Sequence, residues 1–89
     1  MYVWDEAKRK SNLTKHGLDF LDAALVYENP EKFTYQSDRM GENRWLDLAL
    51  VRIHGRVLAL IYTLRGKDVR IISFRVASRE ERDQYEQDA

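Results

Sequence analysis

Three apolar runs, Trp45 to Ile53, Val57 to Leu64 and Val69 to Val76, constrain the fold of this chain more than any other feature. Each is rich in β-branched, leucine or aromatic residues and is bounded by turn-forming residues, which is the pattern of strands. His54-Gly55 makes a tight connection between the first two, and Arg65-Gly66-Lys67-Asp68 a slightly longer one between the last two. Both pairs are therefore expected to be antiparallel hairpins. A two-residue turn at His54-Gly55 pairs Ile53 with Arg56 and sets Arg44 opposite Arg65 or slightly beyond the paired region. Pairing Arg65 with Asp68 sets Thr63 opposite Arg70. Directly opposed residues share a face. Arg44, Arg65 and Arg70 are thus expected to gather on one face at one end of the sheet, where like charges need a bound anion or an acid to stabilise them. A slip of one residue in either hairpin would scatter the cluster.

The same pairing distributes the apolar residues. Leu46, Leu48, Leu50, Ala59, Ile61, Ile72 and Phe74 are expected on one face. Trp45, Ala49, Val51, Ile53, Leu58, Leu60, Tyr62, Val69 and Ile71 are expected on the other. Arg75 follows Arg70 by five positions, so a regular strand places it on the opposite face and roughly 16 Å along. Only a bulge or twist changes that direction. An arginine in a buried strand needs a partner or a job, because an unpaired buried charge costs several kcal/mol.

The remaining segments read as helices and short strands. Tyr2-Val3-Trp4 is a strand, and Asp5 caps a helix running to about His16, with Lys15 and His16 at its C-terminal end and Gly17 as its stop. This helix is sparsely apolar, so Lys8, Arg9, Lys10 and Lys15 face water or a ligand. Asp19 restarts a helix on which Phe20, Ala23, Ala24 and Tyr27 form one face, ended by Asn29-Pro30. Phe33-Thr34-Tyr35 is a short strand, followed by a polar loop over 37–43. Ser78 with Glu81 is a capping box for a last helix. The order β-α-α-β-β-β-β-α describes an α+β domain on a mostly antiparallel sheet. The last helix has almost no apolar residue except Tyr85, which leaves part of the sheet uncovered and suited to a partner chain.

Composition narrows the class. With 89 residues the chain is expected to be a single domain, 1–89, and 44% hydrophobic with 34% charged residues fits a folded protein. There is no cysteine, hence no disulfide framework and no thiolate chemistry. No apolar run approaches a membrane span and no signal peptide is apparent, so the expected location is the cytoplasm. A formal net charge of zero conceals an asymmetry. Residues 39–79 hold nine Lys/Arg against three acids, a surplus of six, and arginine outnumbers lysine in the whole chain. Such a balance suits geometric recognition of phosphate or carboxylate, or else pairing with the acidic flanks. His16 and His54 are far apart in sequence and lack metal-ligand spacing, so no metal or other cofactor is expected.

Several motifs in register resemble the BrnT-type toxins. They are Trp4-Asp5-Glu6-x-Lys8-x-x-x-Asn12-x-x-Lys15-His16-Gly17 with Phe20 and Ala23, then Glu42-x-Arg44, Arg70-Ile71-Ile72-Ser73-x-Arg75-x-Ala77, and Glu81-Arg82-x-x-Tyr85. One departure is Ala49, where the resemblance leads one to expect glycine. The resemblance covers nearly the whole chain. It implies a RelE-like fold and a ribonuclease that arrests translation. It also implies neutralisation by a BrnA-type antitoxin, in a complex that represses its own operon with the antitoxin reading the DNA. DNA is then only an indirect partner, the membrane is none, and the chain on its own is open to forming a homo-oligomer.

RNA cleavage without a metal proceeds by attack of the ribose 2′-hydroxyl on the adjacent phosphate. Arginines suit the developing charge because their planar donors fit phosphate oxygens. The candidates are Arg44, Arg65, Arg70 and Arg75, with His16 as the conventional base. Lys8 and Lys15 are candidates for RNA contact, and Tyr85 for base stacking or proton transfer. Each has a structural alternative. Arg44 and Arg70 can pair with Glu42 and Asp68, Arg75 can anchor the last helix through Glu80 or Glu81, His16 can close its helix, and Tyr85 can be a core anchor. A non-catalytic nucleic-acid- or partner-binding module on the same fold is the alternative function.

Overall fold

A computed structural model describes residues 1–37 and 43–89 of the chain. Its elements are β1 (Tyr2–Val3), α1 (Glu6–His16), a 3₁₀ turn (Phe20–Asp22), α2 (Ala24–Tyr27), β2 (Phe33–Ser37), β3 (Arg44–Val51), β4 (Arg56–Arg65), β5 (Asp68–Val76) and α3 (Arg79–Asp88). The strands form one sheet in the order β1-β5-β4-β3-β2, with β1 parallel to β5 and every other pair antiparallel. This is the α+β order expected from the sequence. Glu42, the expected alternative partner of Arg44, and most of the polar loop lie outside the described residues.

The helix ends form for the anticipated reasons. The Asp5 carboxylate accepts the backbone N–H groups of Ala7 and Lys8, and Gly17 closes α1 at φ 72, a left-handed conformation that costs glycine little. Ser78 and Glu81 make a complete capping box for α3. The second helix differs. It is broken into the 3₁₀ turn and α2, and its buried residues are Phe20, Ala23 and Val26. Their spacing of three follows the tighter 3₁₀ winding, so Val26 takes the inward place that a continuous α-helix gives to Tyr27.

These residues cover one sheet face, meeting Ala49, Val51, Leu58, Leu60, Tyr62, Val69, Ile71 and Phe74. On the other face Leu48, Val57 and Ala59 are covered by Ala77 and Tyr85. Ala49 sits in regular pairing with Leu58 and is fully buried, so β3 has no irregularity there.

The hairpin registers decide where the charges go. The second hairpin pairs Arg65 with Asp68 and Thr63 with Arg70, as expected. The first closes two residues earlier on β3 than expected, at Val51↔Arg56, with residues 52–55 forming the loop and Gly55 at φ 66. This displaces the register by two positions. A displacement of two keeps every side chain on its face, whereas a displacement of one would have reversed them all. Arg44 therefore keeps its expected face but moves from Arg65 to the level of Thr63, one position beyond the last pair, Trp45↔Tyr62.

A bulge corrects the expectation for Arg75. Between Ile61↔Ser73 and Tyr62↔Ile71, Ile72 has no partner on β4. The extra residue reverses the alternation beyond it. Phe74 consequently turns into the core with Leu60, not outward with Leu46, and Arg75 joins Arg70 on the opposite face.

Candidate active site

The face that carries Arg70 and Arg75 is a lattice of cross-strand rows. Phe33, Leu48, Ala59 and Arg75 form one row, and Tyr35, Leu46, Ile61 and Ser73 the next. Arg44, Thr63 and Arg70 form the third, with Ser37 beside Arg44 and Val3 beside Arg70. Arg65 lies two residues beyond Thr63 on β4, on the same side. Helix α3 lies over the first row and reaches the second only at its Tyr35 end. The middle row is partly exposed, so the face is an open trough between α3 and the arginines.

The two walls differ in how their cations are held. Arg75 makes a double hydrogen bond to Glu81, Nη1 to Oε1 at 2.6 Å and Nη2 to Oε2 at 3.0 Å. The pair is partly buried and ties α3 to β5. Hydrogen bonding to Glu81 raises the Arg75 pKa, and the same contact draws the Glu81 carboxyl below its ordinary range. Arg75 thus has the anchoring partner that its structural reading requires. Arg70 differs, making no ion pair and no side-chain hydrogen bond among the described residues. Asp68, its expected alternative partner, instead lies 3.8 Å from the N-terminal amine. Arg44 and Arg65 each have interactions of their own, so of the four arginines on this face Arg70 is the one with no partner among the described residues.

Tyr85 stands on the α3 wall with its ring edge-on to Phe33 at 5.5 Å between centroids. It is part of the small core beneath α3, as its structural reading required. A hydrogen bond from Tyr35 to Asp88 fastens the far end of the helix.

His16, Lys8 and Lys15 come together at the edge of β5. They line a cleft of about 210 Å³ with Ser11, Asn12, Ile72 and Ser73. Asn12 places α1 there. β1 ends at Val3, level with Arg70, which leaves the β5 edge beyond it without a neighbouring strand. The Asn12 side chain accepts the Phe74 N–H at 3.2 Å and donates to the Phe74 carbonyl at 2.7 Å and the Leu18 carbonyl at 3.0 Å. One amide thus stands in for a missing strand. Burial, followed by the charges of Lys15 and Arg75, pushes the His16 pKa down from its ordinary value. His16 is therefore neutral at pH 7, within electrostatic reach of Arg75 and beside Ser73 of the trough. Among the described residues no cluster of His, Cys, Asp and Glu forms a metal site, and no helix is long and apolar enough to cross a membrane.

Sequence reasoning overlooked Thr63 and Ser73 as neighbours of the arginines on this face. Thr63 was discoverable, since the expected register already set it against Arg70 and it is a hydroxyl within an apolar run. Ser73 was hidden by the bulge, which cannot be read from alternation.

No curated protein matches the sequence. A family model described as the ribonuclease toxin BrnT of type II toxin–antitoxin systems matches residues 4–81. That span takes in Lys8, Asn12 and His16 of the α1 cleft, all the arginines of the trough, and Glu81, which holds Arg75. Since the matched segment is most of the 89 residues, the chain belongs to the BrnT family of ribonuclease toxins.

Proposed function

We propose that the chain is a metal-independent endoribonuclease that cleaves RNA held along the trough and thereby arrests translation. The observation that carries this reading is Arg70, a partly buried cation without a partner among the described residues, on one open face with Arg44 and Arg65. Three arginines on one face at one end of the sheet suit an anionic polymer, because each offers planar donors to phosphate oxygens.

The reaction these groups support is transesterification. The ribose 2′-oxygen forms a bond to phosphorus as the bond to the 5′-oxygen breaks, leaving a 2′,3′-cyclic phosphate and a 5′-hydroxyl. Arg44, Arg65 and Arg70 stabilise the charge that builds on the phosphoryl oxygens. Neutral His16 takes the 2′-hydroxyl proton, and the leaving 5′-oxygen is reprotonated from solvent. Arg75, held by Glu81, sets the α3 wall against the strand. Lys8 and Lys15 attract the flanking phosphates, and Tyr85 offers a ring edge to a neighbouring base. A BrnA-type antitoxin is the neutralising partner.

Incubating the purified chain with RNA in the presence of a chelator, beside Arg70→Ala, tests this. Expected are cyclic-phosphate ends from the wild type and strongly reduced cleavage by the variant. RNA left intact by the wild type overturns the enzymatic reading. It would favour a non-catalytic binding module acting in operon repression, a reading that draws on the engagement of Arg75 by Glu81 and of Tyr85 by Phe33.

A further inference from the structure

Thr63 carries an anomaly that the fold does not explain. The residue is 6% exposed, and its Oγ1 is shut off from solvent without a hydrogen-bond partner among the described residues. A buried hydroxyl in this condition lowers stability, and valine would fill the same place on a strand without that cost. Native structures hold few such groups, and each calls for a cause. Here the surroundings supply one. Thr63 is paired directly with Arg70 and stands level with Arg44, while its nearest neighbours in the next row, Ile61 on its own strand and Leu46 beside it, are apolar. Guanidiniums only donate hydrogen bonds, so they cannot accept the Thr63 proton. An anion drawn in by the arginines can.

We infer that Thr63 is an RNA-binding residue whose hydroxyl donates to a non-bridging phosphate oxygen seated between Arg44 and Arg70. The inference rests on the trough being the RNA site. A cleft of about 240 Å³, lined by Asn43, Thr63, Leu64 and Arg65, lies beside the residue. Its Oγ1 becomes reachable when the side chains above it part around the incoming phosphate. The fold thus keeps an unsatisfied group in the free protein, and the bound strand satisfies it.

The test compares wild type, Thr63→Val and Thr63→Ser for binding of a fully 2′-O-methylated oligoribonucleotide, which cannot undergo the cleavage reaction. Thermal unfolding of the same proteins is measured alongside. Expected for Thr63→Val is a roughly 10- to 100-fold weaker Kd, the range of a hydrogen bond to a charged group, with a melting temperature equal to or above wild type. Thr63→Ser is expected to bind within about threefold of wild type, because the donor remains. Equal binding by Thr63→Val overturns the inference. So does a lowered melting temperature in that variant, which would mark a structural hydroxyl, or an absence of oligonucleotide binding by all three proteins. Because the probe is uncleavable, a wild type that binds it but leaves ordinary RNA intact refutes the enzymatic reading while the Thr63 comparison still stands or falls alone.

Discussion

Arg70 and Arg75 point to the same side of the sheet although five positions separate them, because the unpaired Ile72 reverses the alternation between them. They face one trough but have different tasks. Arg70 has no partner among the described residues, and Arg75 is locked to Glu81.

That difference separates activity from stability. Arg70→Ala should change unfolding free energy by no more than about 0.5 kcal/mol, as for an unengaged side chain, while lowering RNA cleavage by at least about 100-fold. Arg75→Ala should cost about 1–2 kcal/mol. It lies between the values for exposed and buried ion pairs, since both partners are partly screened by water. Denaturant unfolding and single-turnover cleavage of one RNA, run on both variants, read the two effects independently. Equal destabilisation by the two substitutions would contradict the assignment.

Asn12 is the clearest structural prediction. Its amide satisfies the Phe74 N–H, the Phe74 carbonyl and the Leu18 carbonyl, and the residue is 8% exposed. Asn12→Ala strips partners from buried backbone groups and should cost about 2–4 kcal/mol. Asn12→Asp should be nearly as damaging, because a carboxylate can accept from Phe74 but cannot donate to either carbonyl. Thermal unfolding of both variants checks this, and an Asp variant as stable as wild type would contradict it.

Much of this arrangement is legible in the sequence. The hairpin formed by β4 and β5 follows from Arg65-Gly66-Lys67-Asp68, so the Thr63–Arg70 pair is legible in the sequence. The face of Arg44 was also available, and survived a register error only because the error was even. The position of Arg75 was not, since a bulge adds one unpaired residue to a strand and no local residue announces it. The 3₁₀ winding at Phe20 was equally hidden, because Phe20, Ala23, Ala24 and Tyr27 satisfy an α-helical period on their own. Tertiary packing of Val26 decides between the two windings.

Asp47 went unnoticed because it lies in an alternating strand where a polar residue suggests the solvent side. It is fully buried on the core face. Its carboxylate accepts from Lys32 at 2.7 Å, Thr34 at 2.6 Å and Tyr62 at 3.0 Å, and Lys32 also lies 4.2 Å from the Tyr27 ring centroid. The network ties β2 to β3 and β4. Asp47→Ala should destabilise the fold by about 3–5 kcal/mol, since it leaves the Lys32 ammonium and the Tyr62 hydroxyl without their acceptor. Pairing it with Lys32→Met in a double-mutant cycle should recover part of that loss. Strictly additive effects would show that the two side chains are not coupled.

His16 makes stability depend on pH. Its folded pKa lies below the ordinary 6.5, chiefly through burial and then through Lys15 and Arg75. Between those two values the unfolded chain binds more protons than the folded one, so stability rises with pH. The contribution is fully present above about 6.5 and is lost as pH falls through the folded pKa. His16→Gln should flatten the slope of melting temperature against pH in this window. In cleavage assays the acid limb of the wild-type profile should fall below 6.5 for the same reason, and that limb should be absent from the variant. A limb left unchanged in His16→Gln would exclude His16 as the base.

Salt dependence can show which cations touch the strand. Neutralising one phosphate of a single strand contributes about −0.7 to the slope of log K against log salt. If Arg44, Arg65 and Arg70 each engage a phosphate, replacing any one by alanine should make that slope shallower by about 0.7. Arg75→Ala should leave it nearly unchanged while Glu81 is its partner, because a guanidinium already paired with a carboxylate releases no counterion from RNA. Lys8→Ala and Lys15→Ala should act like the trough arginines only where the strand extends into the α1 cleft. Shortening the RNA should therefore abolish their effect on the slope before it abolishes that of Arg70. Titrations of an uncleavable oligonucleotide at several salt concentrations and two lengths read all of these slopes. A loss of slope on Arg75→Ala as large as on Arg70→Ala would show that RNA displaces Glu81, placing both arginines in direct contact with the strand.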